Sequence, residues 1–318
     1  MHIEISAGVK GERRSDMRFQ IVDAFTDCLF GGNPAGVVFI PEGSDYPDDE
    51  TMRKTAAELR YSETAFLKRL KEKETSGKKV FQARYFTPAA EVDLCGHATI
   101  GSSFALLHDG IIEKGESFQY ETLAGTIDIV AGQEGILMSM GDPVSYGPME
   151  SGGAVDLYHI LGLEAHGQDL CVKDSDVRLV PELVSTGLID IMTPIKNMQE
   201  LNAIDPDFKA LAELSDKFGV VGAHAFTLNA EDGLIHARNF APLYDIDEEA
   251  ATGTSNGALA YYLYQQGLVE TDRVYTVVQG EAMDRASKIT FCVRIEQEKP
   301  RIYVGGSAAV LAEGEIRI

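Results

Sequence analysis

Basic residues are scarce in this chain: 28 Lys and Arg stand against 50 Asp and Glu, a formal net charge of −22. Neutralising phosphate requires clustered Lys and Arg, so nucleic acid is excluded as a partner, and an anionic membrane surface with it. Cysteine is equally sparse. Cys28, Cys95, Cys171 and Cys292 are the only four in 318 residues and form no CxxC pair. That argues against a disulfide framework or a structural zinc site and fits a reducing cytoplasm. No apolar run approaches the roughly 20 residues a membrane span needs, and the N-terminus lacks a hydrophobic signal core. His2, His108, His159, His166, His224 and His236 show no HExxH or other close ligand spacing, so no metal site is expected. Gly305-Gly306 lacks the strand, GxGxxG and helix context of a dinucleotide fold, and nothing marks a nicotinamide, flavin or pyridoxal site. No cofactor is expected.

What the chain does have is an internal duplication. Ala83, Arg84, Phe86 and Pro88 recur as Ala237, Arg238, Phe240 and Pro242 at an offset of 154, and Gly96, Leu106, Gly110 and Glu113 recur as Gly253, Leu263, Gly267 and Glu270 at 157. The second copy thus carries three extra residues before its glycine. One long-period repeat is not a solenoid, which needs at least three stacked units, but it suits two similar lobes facing across a cleft. An N-terminal lobe over 1–134 and a C-terminal lobe over 135–318 are expected, the last strand folding back onto the first lobe.

Residues 1–16 are polar and read as an extension, and patterning begins at Met17 with the strand-like RFQIVDAF. A turn at Gly31–Gly36 leads to the strand GVVFI, a helix is expected over roughly Glu50–Leu59, and strands at Thr64–Lys68 and Lys79–Phe86. From Gly96 the chain runs to Leu107 without one charged residue, the pattern of a helix buried on all sides. Gly110, and Gly267 after the matching helix, supply the stops. Strand–glycine–strand patterns follow around Gly125 and Gly280. The fold class read from this is α+β: two pseudo-symmetric lobes, each a curled, mostly antiparallel sheet around a central buried helix.

Each central helix opens with glycine and small polar residues, Gly96-His97-Ala98-Thr99 and Gly253-Thr254-Ser255-Asn256. Free N–H groups and the positive end of the helix dipole there form an anion site, unless Thr or Ser simply caps the helix. A duplicated scaffold loses its symmetry where one copy acquires a task. Glu63, in Tyr61-Ser62-Glu63-Thr64-Ala65-Phe66, is such a place, with Ala223 as its nearest sequence counterpart. A Glu at a strand edge is either a solvated carboxylate or, facing a closed cleft, an acid whose pKa desolvation raises for carrying protons to and from carbon.

These motifs resemble the PhzF-like phenazine biosynthesis family, within the diaminopimelate epimerase fold. The likeness runs from Met17 to the C-terminus through VDAFTDCLFGGNPAGVV, AAELRYSETAFL, YFTPAAEVDLCGHATIGSSFAL, VSTG, ATGTSNGALAYYL, QGEAMDRAS and VGGSAAVLAEGEI. The resemblance implies a homodimer and makes Glu63 of the SET motif the proton-shuttling acid/base, with Ser62 beside it. It makes His97 of GHAT a substrate-binding and hydrogen-bonding partner, and places Asn33 of the GGNPAG turn near the cleft. The family pattern D-P-x-T-G-S stands here as Glu249-Ala250-Ala251-Thr252-Gly253-Thr254, so Glu249 and Thr254 take the places of its aspartate and serine, and a proline is lost at Ala250. In diaminopimelate epimerase the first catalytic cysteine resembles Cys95, but the second falls on Thr252, so a two-thiol mechanism lacks a partner.

The expected activity is a cofactor-independent isomerase acting on a small carboxylate-bearing metabolite, with Glu63 moving the proton and Gly96, Gly253, His97 and Thr254 holding the carboxylate. The alternatives are a Cys95-assisted racemase or epimerase and a non-catalytic carboxylate-binding protein.

Overall fold

A computed structural model describes residues 16–74, 77–133, 135–164, 170–171 and 177–318. The extension expected at 1–16 lies outside the described residues except for Asp16, as do His2, His166 and the side chain of Cys171.

Alternating burial along β1 (Asp16–Ala24) places Val22 and Ala24 on the core side. β1 pairs antiparallel with β2 (Asn33–Phe39), which starts earlier than the expected GVVFI strand because Asn33 and Pro34 already pair with Ala24 and Asp23. Helix α1 (Asp49–Leu59) starts where the Asp48 carboxylate caps the Thr51 N–H and ends at Arg60 in the left-handed region, φ 61°. It carries the chain over to β3 (Thr64–Arg69), parallel to β2. β4 (Val80–Phe86), the short β5 (Glu91–Val92) and helix α2 (Gly96–His108) follow, then β6 (Ser117–Thr122) parallel to β4, β7 (Gly125–Ala131) and β8 (Ile136–Ser139).

Beyond β9 (Val144–Pro148), helix α3 (Ser151–Ile160) and the two-residue strands β10 (Leu170–Cys171) and β11 (Arg178–Leu179), the pattern recurs. It is carried by β12 (Glu182–Ser185), β13 (Ile189–Pro194), helices α4 (Met198–Ala203) and α5 (Phe208–Phe218), β14 (Ala223–Thr227), β15 (Ile235–Ala241) and β16 (Ile246–Glu249). Helix α6 (Gly253–Gln265), β17 (Val274–Gln279), β18 (Ser287–Glu296), β19 (Lys299–Gly306) and β20 (Ala308–Arg317) complete the described chain. The pairings β13 to β14 and β15 to β17 are parallel, as are β2 to β3 and β4 to β6, and every other pairing between these strands is antiparallel. Each parallel step is bridged by helix, so the sheet is mixed at the places where a helix crosses over.

The two halves exchange strands. β8 pairs with β7 and with β19, β9 runs back to pair with β12, and β20 returns to pair with β1. The strands expected around Gly280 do pair antiparallel, β17 with β18, but through a longer connection, 280–286, containing a 3-10 turn at Glu281–Met283. Gly280 has φ +84°, and a Cβ there would lie 2.6 Å from Arg285 O and 2.7 Å from Ala250 O, so the chain is pinned against a neighbouring loop where the first copy has an open turn.

Ala98, Ile100, Gly101, Ala105 and Leu106 of α2 are buried, and Ala258, Leu259, Ala260 and Leu263 of α6 with them, in one core that takes residues from both halves. Absence of charge lets both helices pack on every side. Smaller clusters lie under α1 (Met52, Ala56, Phe66, Phe86) and under α3 and α5 (Leu157, Leu211, Ile191, Phe240). The molecule is mixed α+β and mostly sheet, with six α-helices among the described residues.

Candidate active site

The N-termini of α2 and α6 meet. A Cβ built on Gly96 would lie 3.8 Å from the Cα of Gly253, ordinary contact distance, so the two backbones are close neighbours here. Cys95 and Thr252 are the matching N-cap residues, both extended, and neither side chain caps its helix. Capping by the N-cap side chain therefore does not account for either helix start.

Glu63 sits between the end of α1 and the start of β3, its carbonyl accepting from Gly36 N at 3.3 Å. Its side chain is one-fifth exposed (20%), and Oε2 lies 3.2 Å from His97 Nε2. Oε2 is buried and makes no hydrogen bond beyond this ion-pair contact. Burial pushes the Glu63 carboxyl up, but His97 beside it, with Ser62 and Cys95, outweighs burial and holds it below the usual value. The expectation that desolvation would raise it is overturned by this neighbour, which favours the ionised carboxylate.

His97, buried at the second position of α2, is surrounded. Nε2 lies 3.3 Å from Ser62 Oγ, and Nδ1 lies 3.4 Å from Cys95 Sγ and 3.2 Å from Asn33 Nδ2. Burial alone would lower its pKa, yet Cys95 and Glu63 hold it well above the ordinary imidazole value. Burial pushes the Cys95 thiol up.

Asn33 links the halves. Its amide nitrogen also faces Glu249 Oε1 and Ala251 O, each at 3.3 Å. An amide nitrogen donates, which suits a His97 accepting at Nδ1 and an ionised Glu249. The reversed amide would set its oxygen against Ala251 O, which can only accept, so the nitrogen is held in this place. One amide thus bridges His97 and Glu249. Glu249 is raised by burial against the opposing effects of His97 and Thr252, so the two carboxyls of the site are shifted in opposite directions.

The Glu249 loop is not loosened by the missing proline. Thr252 Oγ1 donates to Glu249 Oε2 at 2.7 Å, and the Gln279 amide donates to Glu249 O at 2.7 Å while its oxygen accepts from Asn256 at 2.8 Å. Gln279, together with Arg285 beyond it, was missed from the sequence although both lie in the quoted QGEAMDRAS motif; no spacing tied that motif to residues 249–252. Of the expected site residues, Asn33, Ser62, Glu63 and His97 are brought together, Glu249 joins through Asn33, and Gly96 meets Gly253. Thr254 matches His97 in position, and its hydroxyl has no hydrogen-bond partner among the described residues.

The expected counterpart of Glu63 is wrong by one residue. Thr64 and Ala223 pair with the equivalent Phe86 and Phe240, and Gly222 O accepts from Ile191 N as Glu63 O accepts from Gly36 N. Gly222 therefore stands opposite Glu63, and a Cβ there would fall 1.8 Å from Phe240 O. The second half has no room for a side chain at this place, so the carboxylate is single-sided.

Glu63, Cys95 and His97 also offer ligand atoms all within 4.8 Å of one another, a set that chain spacing could not reveal. A metal here would need the Cys95 thiolate, which burial disfavours. His108, Asp109 and Glu313 form a second such group among the described residues.

This fold recurs among epimerases and isomerases. A hydroxyproline epimerase of Agrobacterium vitis, solved with bound trans-4-hydroxy-L-proline, shares the fold with a TM-score of 0.56 over 96% of this chain and 93% of its own, at 13% identity. More particularly, the family model of PhzC-PhzF, phenazine biosynthesis-like protein, matches residues 22–314, and the chain belongs to that family. An uncharacterized isomerase of Clostridium acetobutylicum is 33% identical over 93% of this chain and 96% of its own. A Bacillus anthracis phenazine biosynthesis protein of the PhzF family, known in crystals, aligns with a TM-score of 0.78 at 27% identity, covering 96% of this chain and 100% of its own. The protein is an isomerase. No helix among the described residues is long and apolar enough to cross a membrane.

Proposed function

We propose that this isomerase moves a proton between carbons of a small carboxylate-bearing metabolite without a cofactor, working as a homodimer in a reducing cytoplasm. Its two lobes, 1–134 and 135–318, are pseudo-symmetric sheets curled around α2 and α6. The reading rests on one observation above others: the buried Glu63 Oε2, held only by its contact with His97, beside two meeting helix N-termini whose N-cap side chains make no cap.

Glu63 takes a proton from a carbon next to an unsaturated group, and the electron pair moves into that group. The resulting Glu63 acid returns the proton to another carbon of the same molecule. N–H groups at Gly96 and Gly253, with the Thr254 hydroxyl, hold the substrate carboxylate. His97, Ser62 and Asn33 keep Glu63 ionised and the ring in place, while Glu249, raised in pKa, donates to a developing negative charge. The epimerase solved with a bound hydroxyproline supports the carboxylate class of ligand.

The test is carbon-bound hydrogen exchange in D₂O, followed by NMR, over a panel of small unsaturated and amino carboxylates. Glu63→Gln is expected to abolish exchange, a loss of at least about 100-fold, while ligands still bind. Full activity in that variant would sink the assignment. The contact of Cys95 Sγ with the His97 ring favours one second reading, a Cys95-assisted racemase.

A further inference from the structure

The two halves differ most in two connections. Between β1 and β2 the chain takes residues 25–32, where the matching β12 to β13 turn takes only 186–188. Between β17 and β18 it takes 280–286, where β6 to β7 takes only Leu123 and Ala124. The long connection of each half packs on that of the other. Gly32 N donates to Ala286 O at 3.4 Å and Lys288 N to Phe25 O at 2.7 Å.

Arg285 fastens them. Its Nε donates to Gly32 O at 2.9 Å, and its Nη2 to Gly31 O at 2.8 Å and to Asp23 Oδ1 at 3.2 Å. The buried Asp23 carboxylate also accepts from Phe30 N at 2.9 Å, so it braces the guanidinium and the turn together. The turn itself has no slack: Gly32 has φ +61°, and a Cβ on it would lie 2.0 Å from Ala24 O. The next residue along is Asn33, whose amide sits between His97 and Glu249.

We propose that Arg285 is a positioning residue: from one half it grips the 31–32 turn of the other and thereby sets the Asn33 amide that bridges His97 and Glu249. A planar fork is required, because three oxygens in different directions are bound at once, which a lysine ammonium on a flexible stem cannot reproduce. The inference rests on the site described above but not on the identity of the substrate.

The primary experiment follows the His97 imidazole resonances by NMR through a pH titration in wild type, Asn33→Ala, Arg285→Ala and Arg285→Lys, with His159 on α3 as a remote reference. Arg285→Ala is expected to displace the His97 titration in the same direction as Asn33→Ala, with Arg285→Lys between it and wild type and His159 unmoved. Once a substrate is in hand, Arg285→Ala should lower kcat by roughly 10- to 100-fold with a smaller change in KM, as a misplaced site would. In the Asn33→Ala background it should lower kcat no further.

A His97 titration unchanged in both Arg285 variants would overturn the proposal, as would full additivity with Asn33→Ala. Should Arg285→Ala fail to fold, the lysine variant carries the same test. Exchange surviving in Glu63→Gln would remove the acid/base assignment yet leave the His97 response to decide the role of Arg285.

Discussion

Glu63 and Gly222 occupy one place in a repeated scaffold, and the chemistry follows from what each can hold there. Sequence comparison pairs Glu63 with Ala223, since Ala65-Phe66 matches Ala225-Phe226 by type. The strands pair one residue apart, so Leu67 and Phe226 share the main core while Phe66 and Ala225 lie in outer clusters. In a strand of period two a slip of one residue reverses every face, and residue type alone could not detect it. Gly222→Ala tests the register: with Phe240 O at 1.8 Å from the new methyl, a loss of about 3 kcal/mol or more is expected by thermal or urea unfolding, whereas an exposed Gly→Ala change would be near neutral. Cys95 is a second residue-scale case. Its thiol is buried and pushed up, so Cys95→Ala is expected to retain exchange within about tenfold of wild type, and a loss as deep as that of Glu63→Gln would favour the racemase reading.

At the scale of elements, α2 was legible because its signal is long and redundant: an uncharged run, a glycine start and the Gly110 stop at φ +67°. Helix α1, β3 and β4 emerge within a residue or two of expectation for the same reason, and β6 and β7 meet at Gly125 as expected, while the two-residue β5 was not foreseen. The connections were not legible. Nothing local in Gly280–Ala286 distinguishes a tight hairpin from a longer loop, since what holds the loop is Gly31, Gly32 and Asp23, some 250 residues away. Leu106, 1% exposed on α2, measures how far the central helix carries the fold. Leu106→Ala is expected to cost about 2–5 kcal/mol, read as a lower urea midpoint with unchanged m-value.

For the whole molecule, two buried groups near α6 predict how stability responds to pH. Asp190, bonded to Ser255 Oγ at 2.7 Å, has a carboxyl pushed up to about 7 by burial, and His224 has an imidazole pushed down to about 4 by burial. The raised Asp190 favours the native state below pH 3.8, and that contribution is lost as pH rises through about 7. The lowered His224 contributes stability above pH 6.5 that is lost as pH falls through about 4. The two slopes oppose and largely cancel between about pH 4 and 7. Asp190→Asn should therefore unmask stability that rises with pH across this window, and His224→Gln stability that falls, each by up to about 3–4 kcal/mol in chemical unfolding. Parallel pH profiles for both variants would contradict these shifts.

The sequence by itself determined the α+β class, the duplication, the two buried helices and the family, because periodicity, punctuation and motif are written along the chain. It also named Glu63 and His97 through their motifs. Only the tertiary structure decided that Gly96 touches Gly253, that Asn33 joins His97 to Glu249, and that Gln279 and Arg285 hold these loops. Those contacts depend on strands exchanged between the two halves, β20 returning to β1 and β8 meeting β19, and such long-range pairing leaves no periodic trace in the residues it brings together.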